Sequence, residues 1–191
     1  MNLVEITGQP CSGKSTLMNT YTFDGAKTQA YKQGLFLKLI NFMRGLIYLR
    51  SKIRLLLSWS LKEQGSFAFR MNIFRNAVSK FGIFVDLKKN YIDSGQIMIV
   101  DEGISHLPFL FQNTETHLVL ELLRSELSDI EVIFLPNPGS STIKERLKSR
   151  GHKRLKYLNV DSFMSRNRDI ECHLMDEYPN LSKNLVIFRD D

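Results

Sequence analysis

The chain opens on a short apolar run, Asn2-Leu-Val-Glu-Ile-Thr7, and then spells Gly8-Gln-Pro-Cys-Ser-Gly13-Lys14-Ser15. That octet fits the pattern G-x-x-x-x-G-K-[ST] without exception, and residues 15–19 after it can open a helix. A strand before and a helix behind is the context in which the pattern has a physical meaning. The glycines let the backbone curl so that several N–H groups point at phosphate oxygens, and the helix N-terminus adds partial positive charge to the same spot. Gly8, Gln9, Pro10, Cys11, Ser12, Gly13, Lys14, Ser15 and Thr16 are therefore expected to hold the phosphates of a nucleoside triphosphate, ATP. Lys14 is the residue to neutralise the β- and γ-phosphates, and the Ser15 hydroxyl is the residue to bind Mg²⁺. Cys11 reads as a small loop residue with no catalytic task.

Further short apolar runs follow at residues 97–101, 130–135 (stopped by Pro136) and 185–188. Strands of this kind, separated by helical stretches, imply a parallel sheet with helices on both faces. The expected fold is thus α/β, the three-layer phosphate-loop NTPase architecture, in one domain spanning residues 1–191. Between residues 30 and 95 the pattern turns helical, which predicts an insertion. Apolar residues recur at Leu39, Phe42, Met43, Leu46, Leu49, Ile53 and Leu56, opposite Lys38, Asn41, Arg44, Tyr48 and Lys52. The cations interrupt this segment too often for a membrane span. Packing against the sheet or its helical neighbours is the expected fate of the apolar face, with peripheral contact to a membrane surface as the alternative. Residues 66–92 also read as helical, with a break at Gly82.

The second functional signal is Ile97-Met-Ile-Val-Asp101-Glu102-Gly103. An Asp closing a buried parallel strand lies at the ligand edge of a sheet, where it can anchor Mg²⁺ after Ser15. Capping the next helix is its other reading. Glu102 can accept a proton from an attacking hydroxyl or water. His106 follows one helical turn later, as a site neighbour or an ordinary core histidine.

The third signal follows the 130–135 run: Thr142-Ile-Lys-Glu-Arg146-Leu-Lys-Ser-Arg150-Gly-His-Lys153-Arg154. With the phosphate loop and Asp101, this segment resembles the nucleoside and nucleotide kinases among phosphate-loop proteins. There a helix of the form E-R-L-x-x-R-G leads into a short basic lid. The resemblance implies that Arg146, Arg150 and Arg154 act over the adenine and the transferring phosphate, with a lid at about residues 150–158 that excludes water. Spacing by four would put the three arginines on one face of a continuous helix, and Gly151 can end that helix. Residues 20–95 depart from the family pattern, so the base stays open between Glu102 and Asp24. Arg70 and Arg75, on the predicted insertion, are candidate cations for an anionic acceptor.

Composition narrows the rest. Hydrophobic residues at 43% and charged residues at 24% belong to a folded chain. Cys11 and Cys172 make neither a disulfide framework nor a metal-ligand spacing, and the N-terminus has no signal-peptide pattern, so a cytoplasmic location is expected. The net charge of +6 suits anionic substrates or surfaces. Nucleic acid is not an expected partner, and the oligomeric state is left open. A GTPase is disfavoured, because Leu135-Pro-Asn-Pro138 stands where a guanine-reading Asn-Lys-x-Asp segment belongs. Two readings remain. One is a kinase passing the γ-phosphoryl of Mg-ATP to a small-molecule acceptor, a nucleotide or a sugar or glycan. The other is a regulatory ATPase whose insertion docks a partner; Glu102 and the basic amphipathic helices favour it.

Overall fold

The structure is a computed structural model, and it describes residues 2–20, 28–31, 34–91, 97–151 and 153–188. Among them, five parallel strands form one sheet: β1 (Asn2–Gly8), β2 (Thr28–Ala30), β3 (Ile97–Asp101), β4 (Ile130–Leu135) and β5 (Asn184–Ile187). Their spatial order is β2-β3-β1-β4-β5. β1 therefore lies at the centre, and its alternation fills two cores. Val4 and Ile6 point to one face, where they meet Leu17 of helix α1 (Lys14–Thr20), Ile99, Ile133 and Leu135. Leu3 points to the other, with Met98, Val100, Ile130, Val132 and Phe134. That second face is covered by long helices. It carries α4 (Phe67–Tyr91), α6 (Thr116–Leu127) and α8 (Val160–Leu181), through Phe81, Phe84, Leu123, Leu174 and Tyr178. The α/β three-layer expectation is met.

The insertion differs from its sequence pattern in two ways. The 35–61 stretch is two helices, α2 (Leu35–Tyr48) and α3 (Ile53–Lys62), joined by a turn. α4, in contrast, is unbroken: Gly82 does not end it. A Cβ at Gly82 would lie 1.7 Å from the Asn41 carbonyl oxygen, and one at Gly45 would lie 2.0 Å from that of Val78. The two glycines let the backbones of α2 and α4 touch, and that closeness fixes how α2 is rotated. Asn41 and Gly45 face inward. Leu39 and Met43, expected on the packed face, are exposed. A polar network completes the contact. Asn41 Nδ2 donates to Tyr31 Oη at 2.8 Å, Tyr31 Oη donates to Asp86 Oδ2 at 2.9 Å, and Arg44 pairs with Asp86.

β2, which no apolar run announces, is three polar-to-small residues at the sheet edge beside β3. The basic segment folds as α7 (Ser140–Arg150), closed by Gly151 in the left-handed conformation at φ 60°, with a short 3₁₀ turn at Lys153–Lys156. α5 (Leu107–Leu110) is a single turn after a 3₁₀ turn at Ile104–His106.

Candidate functional site

The register brings the first two sequence signals together. Ile6 of β1 lies beside Asp101 of β3, and Gly8 lies beside Leu135 of β4. The phosphate loop and the Asp101-Glu102 pair therefore leave the same edge of the sheet. Gly8 has φ 146° and would place a Cβ 2.4 Å from the Leu135 carbonyl oxygen, so this position admits only glycine. Cys11, at φ 68°, and Glu102, at φ 55°, hold left-handed backbone without being glycine. Such strain persists where the surroundings over-determine it, and it gathers at sites.

Lys14 is buried and folds over its own loop. Its Nζ donates to the Gln9 carbonyl at 2.7 Å and to that of Gly8 at 3.2 Å, and it pairs with Glu102 Oε1 at 3.2 Å. Gln9 in turn donates to Glu171 of α8, which also accepts from the Asn137 N–H at 2.9 Å. One carboxylate thus ties the phosphate loop to the β4–α7 connection.

Ser15 Oγ donates to Asp101 Oδ2 at 3.2 Å. The other oxygen, Asp101 Oδ1, is buried with no hydrogen-bond partner. Burial, and then Glu102, raise the pKa of Asp101, against Lys14 and Ser15. A hydroxyl and a carboxylate with one oxygen left over form an all-oxygen donor set, which fits a hard divalent cation such as Mg²⁺. Asp101 caps no helix. The turn that follows is capped by a residue the sequence did not single out: Glu5 accepts from the Ile104 N–H at 3.1 Å and the Ser105 N–H at 2.7 Å. Gly103 leaves room for it, since a Cβ there would lie 2.0 Å from Glu5 Oε1. Burial raises the pKa of Glu5.

The cation that sequence reading missed is Lys80. It reaches from α4 to donate to the Glu102 carbonyl oxygen. Burial lowers its pKa, and Glu102, Glu5 and Asp101 oppose that shift. A lysine in mid-helix, with no motif around it, carries no local signal; only the packing of α4 brings it to the site. His106 sits on the other side of Glu102, its Nε2 3.7 Å from Oε1 and its Nδ1 3.5 Å from Thr7 Oγ1. Burial pushes the His106 pKa down to about 3, against the pull of Glu102. Glu102 is held well below the usual carboxylate range by His106, Lys14 and Lys80, against burial. The His106 contribution acts only at low pH, where the ring is protonated; at ordinary pH the ring is neutral and Lys14 is the cation paired with Glu102.

Two spaces flank the loop. On one side a cavity of about 170 Å³ lies between Ser12, Gly13, Thr16, Pro138, Arg146 and Phe188. Arg146 borders it and donates to the Cys11 carbonyl at 3.1 Å. On the other side a cavity of about 410 Å³ runs from Pro10, Asp101 and Glu102 to Asn76, Ser79 and Lys80 of α4. It shares Asn76, Glu102, Leu110 and Arg154 with a neighbouring space of about 470 Å³ that reaches Phe69, Asn72 and Gly151. The insertion is therefore the wall opposite the phosphate loop.

The remaining candidates scatter. Arg70 and Arg75 do not line these cavities; Arg75 donates to Asn72 within α4 at 2.6 Å. Arg154 has left the helix of Arg146, and its guanidinium is buried. It lies 3.6 Å from Glu63 at the end of α3 and donates to the Leu110 carbonyl. Glu63 is itself buried and accepts from the Asn113 N–H at 2.8 Å. Arg154 thus joins the basic segment to the insertion and shows one edge to the larger cavity. Asp24 and the side chain of Arg150 lie outside the described residues.

Among solved structures the chain is similar to a thymidylate kinase from Ehrlichia chaffeensis, at 17% identity and a TM-score of 0.48, over 100% of this chain and 90% of that one. No family model matches the chain, and no curated protein does.

Proposed function

We propose that this protein is an ATP-dependent phosphotransferase, a small phosphate-loop kinase whose acceptor binds between the phosphate loop and α4. The observation that carries this reading is the arrangement around Glu102. A phosphate loop with Lys14, and a Ser15–Asp101 oxygen pair, open onto a walled cavity that a second cation, Lys80, enters from the insertion. A pure hydrolase needs room only for water there; a cavity of about 410 Å³ suits an acceptor of nucleoside or sugar size. Its lining of Asn76, Ser79, Lys80 and Glu102 suits a hydroxyl-rich or anionic molecule.

Each residue then has a task. The loop N–H groups and Lys14 hold the β- and γ-phosphates. Ser15 and Asp101 would hold Mg²⁺, which supplies charge neutralisation at the transferring phosphoryl. Arg146, beside the smaller cavity with Pro138 and Phe188, takes the nucleoside end. When phosphate draws Lys14 off the Gly8 and Gln9 carbonyls, Glu102 loses its nearest cation and is freed to orient the acceptor hydroxyl. Proton removal can come late in a loose transition state, so orientation is the larger part of that role.

The test measures ATP consumption with and without a panel of nucleosides, nucleotides and sugars. Consumption should depend on one acceptor class, and Lys14→Ala should lower it by at least about a hundredfold, since charge stabilisation of this kind is worth that much. Fast hydrolysis without any acceptor, lost in Glu102→Gln, would move the protein to the ATPase class.

A further inference from the structure

Unlike an ordinary surface helix, α2 carries apolar residues outward as well as inward. Its inward side sets Asn41 and Gly45 against α4, with Phe42 and Leu46 partly buried beside them, while Leu35, Leu39, Met43 and Ile47 run down its outer side at intervals of four. Those four are 87%, 60%, 50% and 72% exposed, and Phe36 beside them is 76% exposed. Helical residues four apart stack on one face, so this is a continuous apolar stripe and not a scatter of lone side chains. The rotation is fixed by the close approach at Gly45 and Gly82, so the stripe cannot turn inward without separating the two helices.

Charge narrows the kind of surface that suits the stripe. From Leu35 to Lys62 the chain contains Lys38, Arg44, Arg50, Lys52, Arg54 and Lys62 and no Asp or Glu. Arg44 is engaged by Asp86 and Lys52 by the Leu122 carbonyl, while Lys38, Arg50, Arg54 and Lys62 stay exposed. An apolar stripe within an acid-free cationic segment is complementary to an anionic surface with an oily interior. A second copy of the same face would set like charges against each other. No helix among the described residues is long and apolar enough to cross a membrane, so the contact is one of lying on the surface.

We propose that the outer face of α2 docks this protein on the anionic surface of a phospholipid bilayer, the apolar stripe entering the headgroup–acyl boundary and the cations meeting lipid phosphates. The observation is separate from the phosphate loop, so the proposal stands or falls independently of the catalytic reading.

The experiment is co-sedimentation of the full chain with phosphatidylcholine vesicles, with and without about one-third phosphatidylglycerol. Wild type should partition onto the anionic vesicles at least about tenfold more than onto the neutral ones, and raised salt should weaken it. Leu39→Ser with Ile47→Ser should lower that partition about tenfold, and Arg50→Gln with Arg54→Gln should remove the preference for anionic lipid. Unchanged urea midpoints show that these surface variants fold. The proposal is overturned if wild type stays in solution with anionic vesicles, or if the Leu39/Ile47 variant partitions as wild type does. It is equally overturned if sedimentation equilibrium shows a dimer that the same two substitutions dissolve while vesicle binding is absent; the stripe would then be a self-interface.

Discussion

His106 lies between Thr7 and Glu102 with its ring tilted over Phe109, and burial holds its pKa at about 3 against an ordinary 6.5. Between those values the unfolded chain binds a proton that the folded chain refuses. His106 therefore contributes stability that is complete above about pH 6.5 and is lost as the pH falls toward 3. Going from about pH 7.5 to about pH 5, wild type should lose about 2 kcal/mol more than His106→Gln in urea titrations. Parallel slopes for the two proteins would mean that the ring already shares its proton in the fold. Arg154 carries a second prediction. With Glu63 2% and Arg154 7% exposed, Arg154→Ala removes the paired cation of a buried carboxylate and leaves only Arg166 acting on it. That should destabilise the fold by about 3–5 kcal/mol in urea denaturation; an unchanged midpoint with slowed phosphoryl transfer would restore the lid role that the family resemblance implies. The two residues show what sequence could tell about the site. The phosphate-loop motif was legible because its residues are consecutive. Asp101 was legible because a strand end fixes its place. Lys80, in contrast, meets Glu102 across 22 residues of chain, and Arg154 is buried by an acid on another helix, and neither fact has a local signature.

At the scale of elements, the β1, β3 and β4 strands follow from apolar runs, because burial on a sheet writes itself into consecutive residues, and the helical character of α4 follows from its sequence, but not its continuity through Gly82. α2 does not follow, because periodicity shows that a helix has an apolar face and not which way the face points. Gly45 and Gly82 decide that, by backbone contact. Gly82→Ala tests the point because two effects oppose each other. Alanine is the better helix former by about 1 kcal/mol. Its Cβ, however, would sit 1.7 Å from the Asn41 carbonyl oxygen, and backbone cannot give way as a side chain would. Overpacking of this kind costs about 1–3 kcal/mol and more when the backbone must move. It would also disturb the Asn41, Tyr31 and Asp86 hydrogen bonds that hold β2 to the insertion. The expected net effect is destabilisation, seen as a lower urea midpoint. A higher midpoint would mean that α2 and α4 do not pack at their glycines.

For the whole molecule, the fold class was legible from strands alternating with helices, whereas the walled space beside the phosphate loop exists only once the insertion has closed over the sheet edge. Its consequence is linkage. A ligand that binds only the folded state stabilises it by RT ln(1 + [L]/Kd), about 2.7 kcal/mol at a hundredfold excess over Kd. For a chain of this length each kcal/mol moves the melting temperature by about 2–4 °C. Mg-ATP should therefore raise the melting temperature by several degrees. The Ser15–Asp101 oxygen pair is assigned to the metal, so ATP without Mg²⁺ should give a smaller shift, and Asp101→Asn should make the two shifts equal. If Asp101 served only the fold, the variant would melt lower alone and keep the full Mg²⁺ increment. The acceptor adds the decisive step. In the proposed arrangement it borders Glu102, and phosphate draws away the nearest cation of Glu102, Lys14, so nucleotide should strengthen acceptor binding and acceptor should strengthen nucleotide binding by the same factor. A matrix of thermal shifts with a non-hydrolysable ATP analogue and each acceptor reads this directly. Shifts greater than additive for one acceptor class identify the substrate and support the kinase reading. Strict additivity for every acceptor, with the analogue still stabilising the fold, would leave the nucleotide site intact and remove the acceptor from the space beside α4.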